Sequence, residues 1–309
     1  MAASIGEKHK VSTRAQIRML PDGRRLHMHD GPIDLIVEAF GEAKEINAAY
    51  NAASSRFVQV LDELCAELIF LRSPARQNGP LPTGPIARRM AEAVKPYAEQ
   101  IFITPMAAVA GAVAEEILAA MTSNAKLSKA YVNDGGDIAL HLANEETFAV
   151  GMVERPDRAS LFGTTTIRYG DLIRGIATSG WRGRSFSLGI ADAVTVLADT
   201  AAMADAAATV IANAVDLPEH SGIGRGRACD LAPDSDLGER MVTQSVPELS
   251  QREIRVALEL GLDVAERLEA SGLIQAAALN LQGETRILGS DNCAPSENIS
   301  RLIWSPAHA

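Results

Sequence analysis

The sequence predicts an α+β fold in which mixed or antiparallel sheets carry packed Ala-rich helices. Three observations lead there. Helical and extended stretches alternate without the regular strand–helix rhythm of a doubly wound sheet. Short alternating runs flank tight-turn residues, as at Pro21-Asp22-Gly23 and Gln282-Gly283. Two helical stretches, 104–121 and 200–215, are dominated by alanine, whose small side chain lets backbones approach closely.

The elements follow in order. Residues 1–15 read as a loose tail and 16–309 as a single domain. Gln16–Leu20 and Arg25–His29 form a hairpin around Pro21-Asp22-Gly23, and Ile33–Ala39 reads as a short strand or a helix start. Ile46, Tyr50, Phe57, Leu61, Leu64 and Leu68 recur at helical spacing and predict one long amphipathic helix, broken near Ser54-Ser55. Four prolines within Ser73–Pro85 mark a loop, and Ile86–Ala98 a short helix. Thr104-Pro105 places a cap and a first-turn proline ahead of the first Ala-rich helix.

Strands are expected at Lys129–Asn133, Ile138–Leu142, Thr147–Val153, Thr164–Tyr169, Gly175–Thr178 and Ala193–Leu197, then the second Ala-rich helix. Ser221–Gly226 reads as a Gly-rich loop. Ser250 with Glu253 three residues on is a capping box opening a helix to Ser271, and Ile274–Leu281 with Glu284–Leu288 forms a closing hairpin. The tail beyond Ser290 is expected to be irregular.

Composition bounds the function. The chain has 309 residues, 47% hydrophobic and 22% charged, which is globular rather than disordered. Its net charge of -10 argues against binding a phosphate backbone, so no nucleic-acid partner is expected, although a local arginine cluster could still hold a small anion. Cys65, Cys229 and Cys293 are few, odd in number and widely spaced, which fits a reducing compartment. The N-terminus lacks an apolar signal-peptide core, and no run of about 18 uncharged apolar residues is present, so a cytoplasmic protein with no membrane partner is expected.

Three constellations could carry chemistry. In the first, Asn133, Gly135, Gly136 and Asp137 surround a bare backbone that a ligand could approach, or simply make a tight turn. In the second, Thr178, Ser179, Gly180, Arg182 and Arg184 gather hydroxyls, backbone donors and guanidinium forks suited to phosphate or carboxylate, or line a solvated loop. In the third, Asp205 and Thr209 lie four residues apart on one helical face. They suit a hard cation such as Mg²⁺, or else Thr209 bonds back to its own helix. Gly222-Ile223-Gly224-Arg225-Gly226 does not open a helix, so a dinucleotide fingerprint is rejected.

Taken in this order, the blocks resemble the ApbE-like superfamily. They are Ala107 through Gly111, Asn133 through Asp137, Thr178-Ser179-Gly180, Val194-Thr195-Val196, and Ala204 through Thr209. The markers Gly31 through Leu35, Thr104 through Gly111 and the run from Gly175 to Asn213 resemble more closely a branch of it whose biochemical function is not established. The resemblance implies an ApbE-like α+β fold and FAD or FMN as cofactor. It implies Mg²⁺ held by Asp205, Thr209 and a backbone carbonyl near Val109, and a flavin or substrate pocket at Asn133–Asp137 and Thr178–Gly180. The implied activity is flavin binding, or Mg²⁺-dependent transfer of FMN to a protein acceptor.

Two departures stand out. Ala110 replaces the transferases' lysine, and Arg182–Ala193 replaces their H-I-x-D-P-x-x-G segment, with Asp192 a substitute for its acidic position. The alternatives are an enzyme acting on a small carboxylate from N-heterocycle breakdown, with Arg182 and Arg184 as its clamp, or a non-catalytic flavin carrier. A homodimer would also suit the Ala-rich helices.

Overall fold

The computed structural model describes residues 14–155, 158–289 and 294–295. Its strands are β1 (Gln16–Met19), β2 (Leu26–Asp30), β3 (Ile33–Phe40), β4 (Lys129–Asp134), β5 (Asp137–Leu142), β6 (Thr147–Arg155), β7 (Arg158–Arg168), β8 (Gly175–Ser179), β9 (Ala193–Ala198), β10 (Gly224–Arg227), β11 (Met241–Ser245), β12 (Ala276–Leu281), β13 (Glu284–Leu288) and β14 (Ala294–Pro295). Its helices are α1 (Ala43–Ala66), α2 (Leu68–Leu71), α3 (Pro85–Val94), α4 (Val109–Asn124), α5 (Ala201–Ala214), α6 (Ala228–Leu231) and α7 (Gln251–Ala270). Nine strands form one sheet in the order β1-β2-β3-β4-β5-β8-β9-β12-β13, with every described pairing antiparallel. The expected α+β class therefore holds, and the mixed-or-antiparallel choice resolves to antiparallel.

The sheet has two coated faces because its strands alternate in what they point each way. Met28, Leu35, Val37, Val132, Ala177, Val194 and Leu279 point to one side, where α1, α4, α5 and α7 cover them and α3 packs on the helices. Tyr131, Leu140, Leu142, Ile176 and Leu197 point to the other, under Phe148, Val150 and Ile167 of the β6–β7 hairpin. The Ala-rich helices lie deepest. Gly111 on α4 touches the first turn of α5 so closely that a Cβ there would sit 2.3 Å from the Ala201 carbonyl oxygen. Glu115, one turn further along α4, accepts the Ala202 N–H at 2.7 Å and closes the N-terminus of α5 together with Thr200.

Several expectations change. The first long helix runs unbroken through Ser54-Ser55, because the Ser54 hydroxyl donates back to the Tyr50 carbonyl and its pattern of buried Tyr50, Ala53 and Phe57 continues. Ile33–Phe40 is a strand, and β11 opens where no strand is expected, pairing with the end of the Gly-rich loop. Pro105–Asn124, including its 3₁₀ lead, is one helical stretch of 20 residues with mean hydropathy 1.3. It is long and apolar enough to cross a membrane by length and composition only, although Glu115 and Glu116 keep it from being an uncharged run. Here its apolar face is instead occupied by α1, α3, α5, β4 and β5. The 1–15 tail, apart from Arg14 and Ala15, and the segment after Ser290, apart from Ala294–Pro295, lie outside the described residues.

Candidate carboxylate site

The site forms where the β4–β5 turn meets the crossing of α4 and α5. Gly135 and Gly136 turn the chain in two residues with φ of 65° and 121°, conformations that a side chain would strain. Asn133 tightens the turn by accepting the Gly136 N–H at 2.8 Å. The turn sets Asp134 and Asp137 directly opposite one another, in register with Leu35 on the helix-covered face. Two carboxylates are thus delivered under the helices by strand alternation alone.

Each has few compensating donors. Asp134 is 4% exposed and accepts only a long bond of 3.4 Å from the Asp34 N–H, with the Arg184 guanidinium 4.0 Å away. Burial, then the charge of Asp137, pushes its carboxyl up to about 8. Asp137 accepts the Thr178 N–H of β8 at 3.1 Å. Burial and the neighbouring Asp205 hold it well above the ordinary carboxylate range. Asp205, on the second turn of α5, is buried and receives the Gly111 N–H at 3.1 Å and the Ala110 N–H beside it. Those donors at the start of α4 favour its charged form, yet burial outweighs them and raises it to about 7.

The predicted residues separate into groups. Asn133, Gly135, Gly136, Asp137, Thr178 and Arg184 gather at the turn. Arg184 lies so close over Gly135 that a Cβ there would be 2.7 Å from the guanidinium. Gly180 presses its bare Cα against the Asp192 carbonyl, and Ser179 is half-buried in register with Val194. Thr209 lines a small cavity of about 40 Å³ with Thr104, Asn213 and Asp236.

Arg182 is already engaged. Its Nε pairs with Asp192 at 2.5 Å and its guanidinium stacks 4.3 Å from the Trp181 ring centroid, so part of its donor set is committed within the loop. Asp192 is 2% exposed and also accepts the Trp181 indole N–H at 3.1 Å and the Gln282 N–H at 2.7 Å. It therefore fixes the loop. The Ser187 hydroxyl nearby donates to the Asn213 side-chain oxygen.

Sequence reasoning included Asp134 in the Asn133–Asp137 segment without singling it out, although its position beside the turn and opposite Asp137 carried the signal. Among the described residues, no three carboxylate, imidazole or thiol side chains enclose one metal point by themselves. A cation at Asp205 would have to draw on backbone or hydroxyl oxygens as well. The donor set suits that: it is all hard oxygen, it is buried, and it is short of positive charge. A cleft of about 380 Å³ lies elsewhere, between α4, β5 and the start of α5. Its charged groups are already paired, Arg89 with Glu115 and Glu116, and Arg174 with the carbonyls of Tyr169, Asp171 and Ile173.

Comparison with known proteins adds the lineage. The chain is 38% identical to a UPF0280 protein of Methanopyrus kandleri over 128 residues, covering 41% of this chain and 48% of that one. It is 39% identical to a UPF0280 protein of Methanothermobacter thermautotrophicus over 143 residues, covering 44% and 51%. The chain thus spans about half the length of the curated relatives it matches. Among solved structures, the apo form of the Pseudomonas stutzeri flavinyl transferase ApbE aligns with a TM-score of 0.41 and 11% identity, over 92% of this chain and 95% of that one. The family model described as AbpE bacteria matches residues 17–287, nearly the whole described chain, and this protein belongs to that ApbE-like family.

Proposed function

We propose that this protein binds a flavin phosphate together with a divalent cation at the Asp134–Asp137–Asp205 site, with flavin transfer to a protein hydroxyl as the activity this site would serve. The observation that carries the reading is the convergence of three buried carboxylates, all held above the ordinary range and short of counter-charge. Purely structural carboxylates in a core are normally paired. An oxygen-ligated cation such as Mg²⁺ would supply the missing charge, held by Asp205 with Asp137, the Thr209 hydroxyl and backbone oxygens at the start of α4 as further donors. When bound, it neutralises the phosphate charge of a ligand. The chain's own residues then bind and orient: Gly135-Gly136 leaves the backbone open to close approach, and Arg184 overhangs that opening. Membership of the ApbE-like family supports flavin as the ligand class.

Titration calorimetry with FMN and FAD, with Mg²⁺ or EDTA, on wild type and Asp205→Asn tests the reading. Micromolar binding, about -8 kcal/mol, that needs Mg²⁺ and is lost in the variant is expected. Flavin binding that is indifferent to both Mg²⁺ and Asp205 would remove the cation from the proposal, and no flavin binding at all would end it.

A further inference from the structure

One turn beyond Asp205, on the same face of α5, Thr209 opens into a nearly closed space. Three segments meet over it: residues 101–107, Leu188, and Asp236 with Leu237. They leave about 40 Å³, little more than the volume of one water molecule. A space of that size does not take a phosphate ester. The larger cleft of about 380 Å³ does not lead there. None of Asp134, Asp137, Asp205 and Thr209 lines it, and it touches α5 only at the cap, Thr200.

Asp236 and Leu237 belong to an arm, residues 228–240, at the end of the β10–β11 ribbon. The root of the ribbon is fixed. The Thr243 N–H donates to the Ser187 carbonyl at 2.9 Å, and Arg225 pairs with Asp216 and donates to the Leu188 carbonyl. The arm is bonded largely to itself: Ala228 N–H to the Arg240 carbonyl at 2.9 Å, Cys229 N–H to Gly238 at 2.8 Å, and Ser235 N–H to Ala232 at 2.9 Å. Two side-chain contacts tie it to the 101–107 segment beneath. The Thr104 hydroxyl donates to the Asp236 carboxylate, and the Arg240 guanidinium lies 3.1 Å from the Phe102 ring centroid. Thr104 is 2% exposed and stands at the N-cap of the Pro105–Asn124 stretch with the extended backbone of a cap, yet its side chain makes no capping bond. Its hydroxyl serves the arm instead. Released, it can close its own helix N-terminus, as threonine at this position ordinarily does. Each position of the arm thus gives the hydroxyl a partner, and opening costs less than the loss of an ordinary bond.

We infer that the 228–240 arm is the gate of the carboxylate site: with Asp236 latched on Thr104 it shuts the Thr209 face, and a phosphate-bearing ligand enters after Asp236 lets go and the arm swings on the β10–β11 ribbon. The inference rests on the reading of this site as one that holds a phosphate beside Thr209. Asp236 also gives the gate a sign, because while latched its carboxylate stands at the entrance and repels an incoming phosphate. The fixed root at Ser187 and Leu188 makes the motion a rotation of the tip, with the ribbon intact.

Limited trypsin digestion reads the latch without any ligand, because cleavage after Arg240 needs its guanidinium off Phe102. A hydroxyl bonded to a carboxylate is worth roughly tenfold or more in an equilibrium, so Asp236→Ala and Thr104→Val should each be cut after Arg240 about tenfold faster than wild type. Thr104→Ser, which keeps the hydroxyl, should behave as wild type, and cleavage elsewhere should not change. Stopped-flow binding of FMN and of FAD in Mg²⁺, followed by flavin fluorescence, should then be about tenfold faster in Asp236→Ala, with the dissociation constant no weaker. Equal cleavage rates, cleavage hastened at every site alike, or faster cleavage with unchanged association would each overturn the gate while leaving the flavin reading standing. If no flavin binds either protein, that reading ends, and inorganic pyrophosphate in Mn²⁺, followed by tryptophan emission, becomes the probe. Faster binding of it in Asp236→Ala upholds the gate; equal or absent binding removes it.

Discussion

Gly111→Ala is the substitution whose outcome the structure fixes most tightly. In an ordinary helix interior this change stabilises by about 1 kcal/mol, because alanine loses less backbone entropy on folding. Here the added Cβ would lie 2.3 Å from the Ala201 oxygen, 2.5 Å from its carbonyl carbon and 2.7 Å from the Ala202 nitrogen. All three are backbone atoms, which cannot rotate away. Ordinary contact begins at 3.4 Å, so the helices must part by about 1.1 Å (3.4 less 2.3). A shift of that size stretches two bonds beyond hydrogen-bonding range: Ala202 N–H to Glu115, now 2.7 Å, and Gly111 N–H to Asp205, now 3.1 Å.

Overpacking of about 1–3 kcal/mol and roughly 1 kcal/mol for each strained bond outweigh the propensity gain. The net expectation is a loss of about 2–4 kcal/mol, roughly 5–10 °C in Tm for a chain of this size. Differential scanning calorimetry measures it, and Mn²⁺ titration should show weakened binding in the same variant because Asp205 moves with α5. A Gly111→Ala protein as stable as wild type, or more so, would show that the α4–α5 approach is slack and that the argument from it is wrong.

Three further outcomes follow from the same geometry. Asp192→Ala should cost about 2–3 kcal/mol in urea unfolding, the range of a charge-assisted bond with its neighbours, and shift tryptophan emission to the red as Trp181 loses its acceptor; a change under about 0.5 kcal/mol would refute the anchoring role. Because the folded carboxyls of Asp134 and Asp205 stand near 8 and 7, the metal-free native state binds more protons than the unfolded chain above about pH 4. Their contribution to stability is full below that pH and is lost as pH climbs to about 8, so in EDTA the urea midpoint should fall from pH 5 to pH 8.5; a rise would contradict the assignment. Asp205→Asn should be at least as stable as wild type in EDTA at pH 8, since a buried charge disappears while the Gly111 N–H keeps an acceptor. On the proposed cation reading, it should also lose the stabilisation of about 2.7 kcal/mol expected for wild type with Mg²⁺ at a hundredfold its Kd.

The sheet and helices were legible where local chemistry decides alone. The Pro21-Asp22-Gly23 and Gln282-Gly283 turns, the capping box at Ser250, with its Glu253 N–H bonded at 3.3 Å, and the strand β2 all appear where sequence patterning puts them. The site was legible in part. Asn133 through Asp137 could be singled out because paired glycines after a strand require a special backbone. Asp134 was passed over because strand alternation says which face a residue takes but not what covers that face. Arg182 equals Arg184 in sequence, and only the fold brings Asp192 of the next strand's approach beneath it. The Ser54-Ser55 break failed because a serine hydroxyl can satisfy itself on the preceding turn without ending the helix.

The order of strands has one further effect. Asp134 and Asp137 belong to the half of the sheet built from β1 to β5, whereas Asp205 is on α5, which follows β9 in the half built from β8 to β13. The two halves meet through β5 and β8, which share only two register pairs, Ile138 with Ile176 and Ala139 with Gly175, against five pairs for β8 with β9 and six for β4 with β5. The carboxylates therefore straddle the narrowest join in the sheet. Their mutual repulsion acts to pry that join open, and any positive charge lodged between them acts as a rivet across it. Binding energy at this point is spent on the cohesion of the whole sheet, so occupancy of the site should be readable in amide exchange at Ile138 and Ile176, on the face of the sheet remote from the ligand.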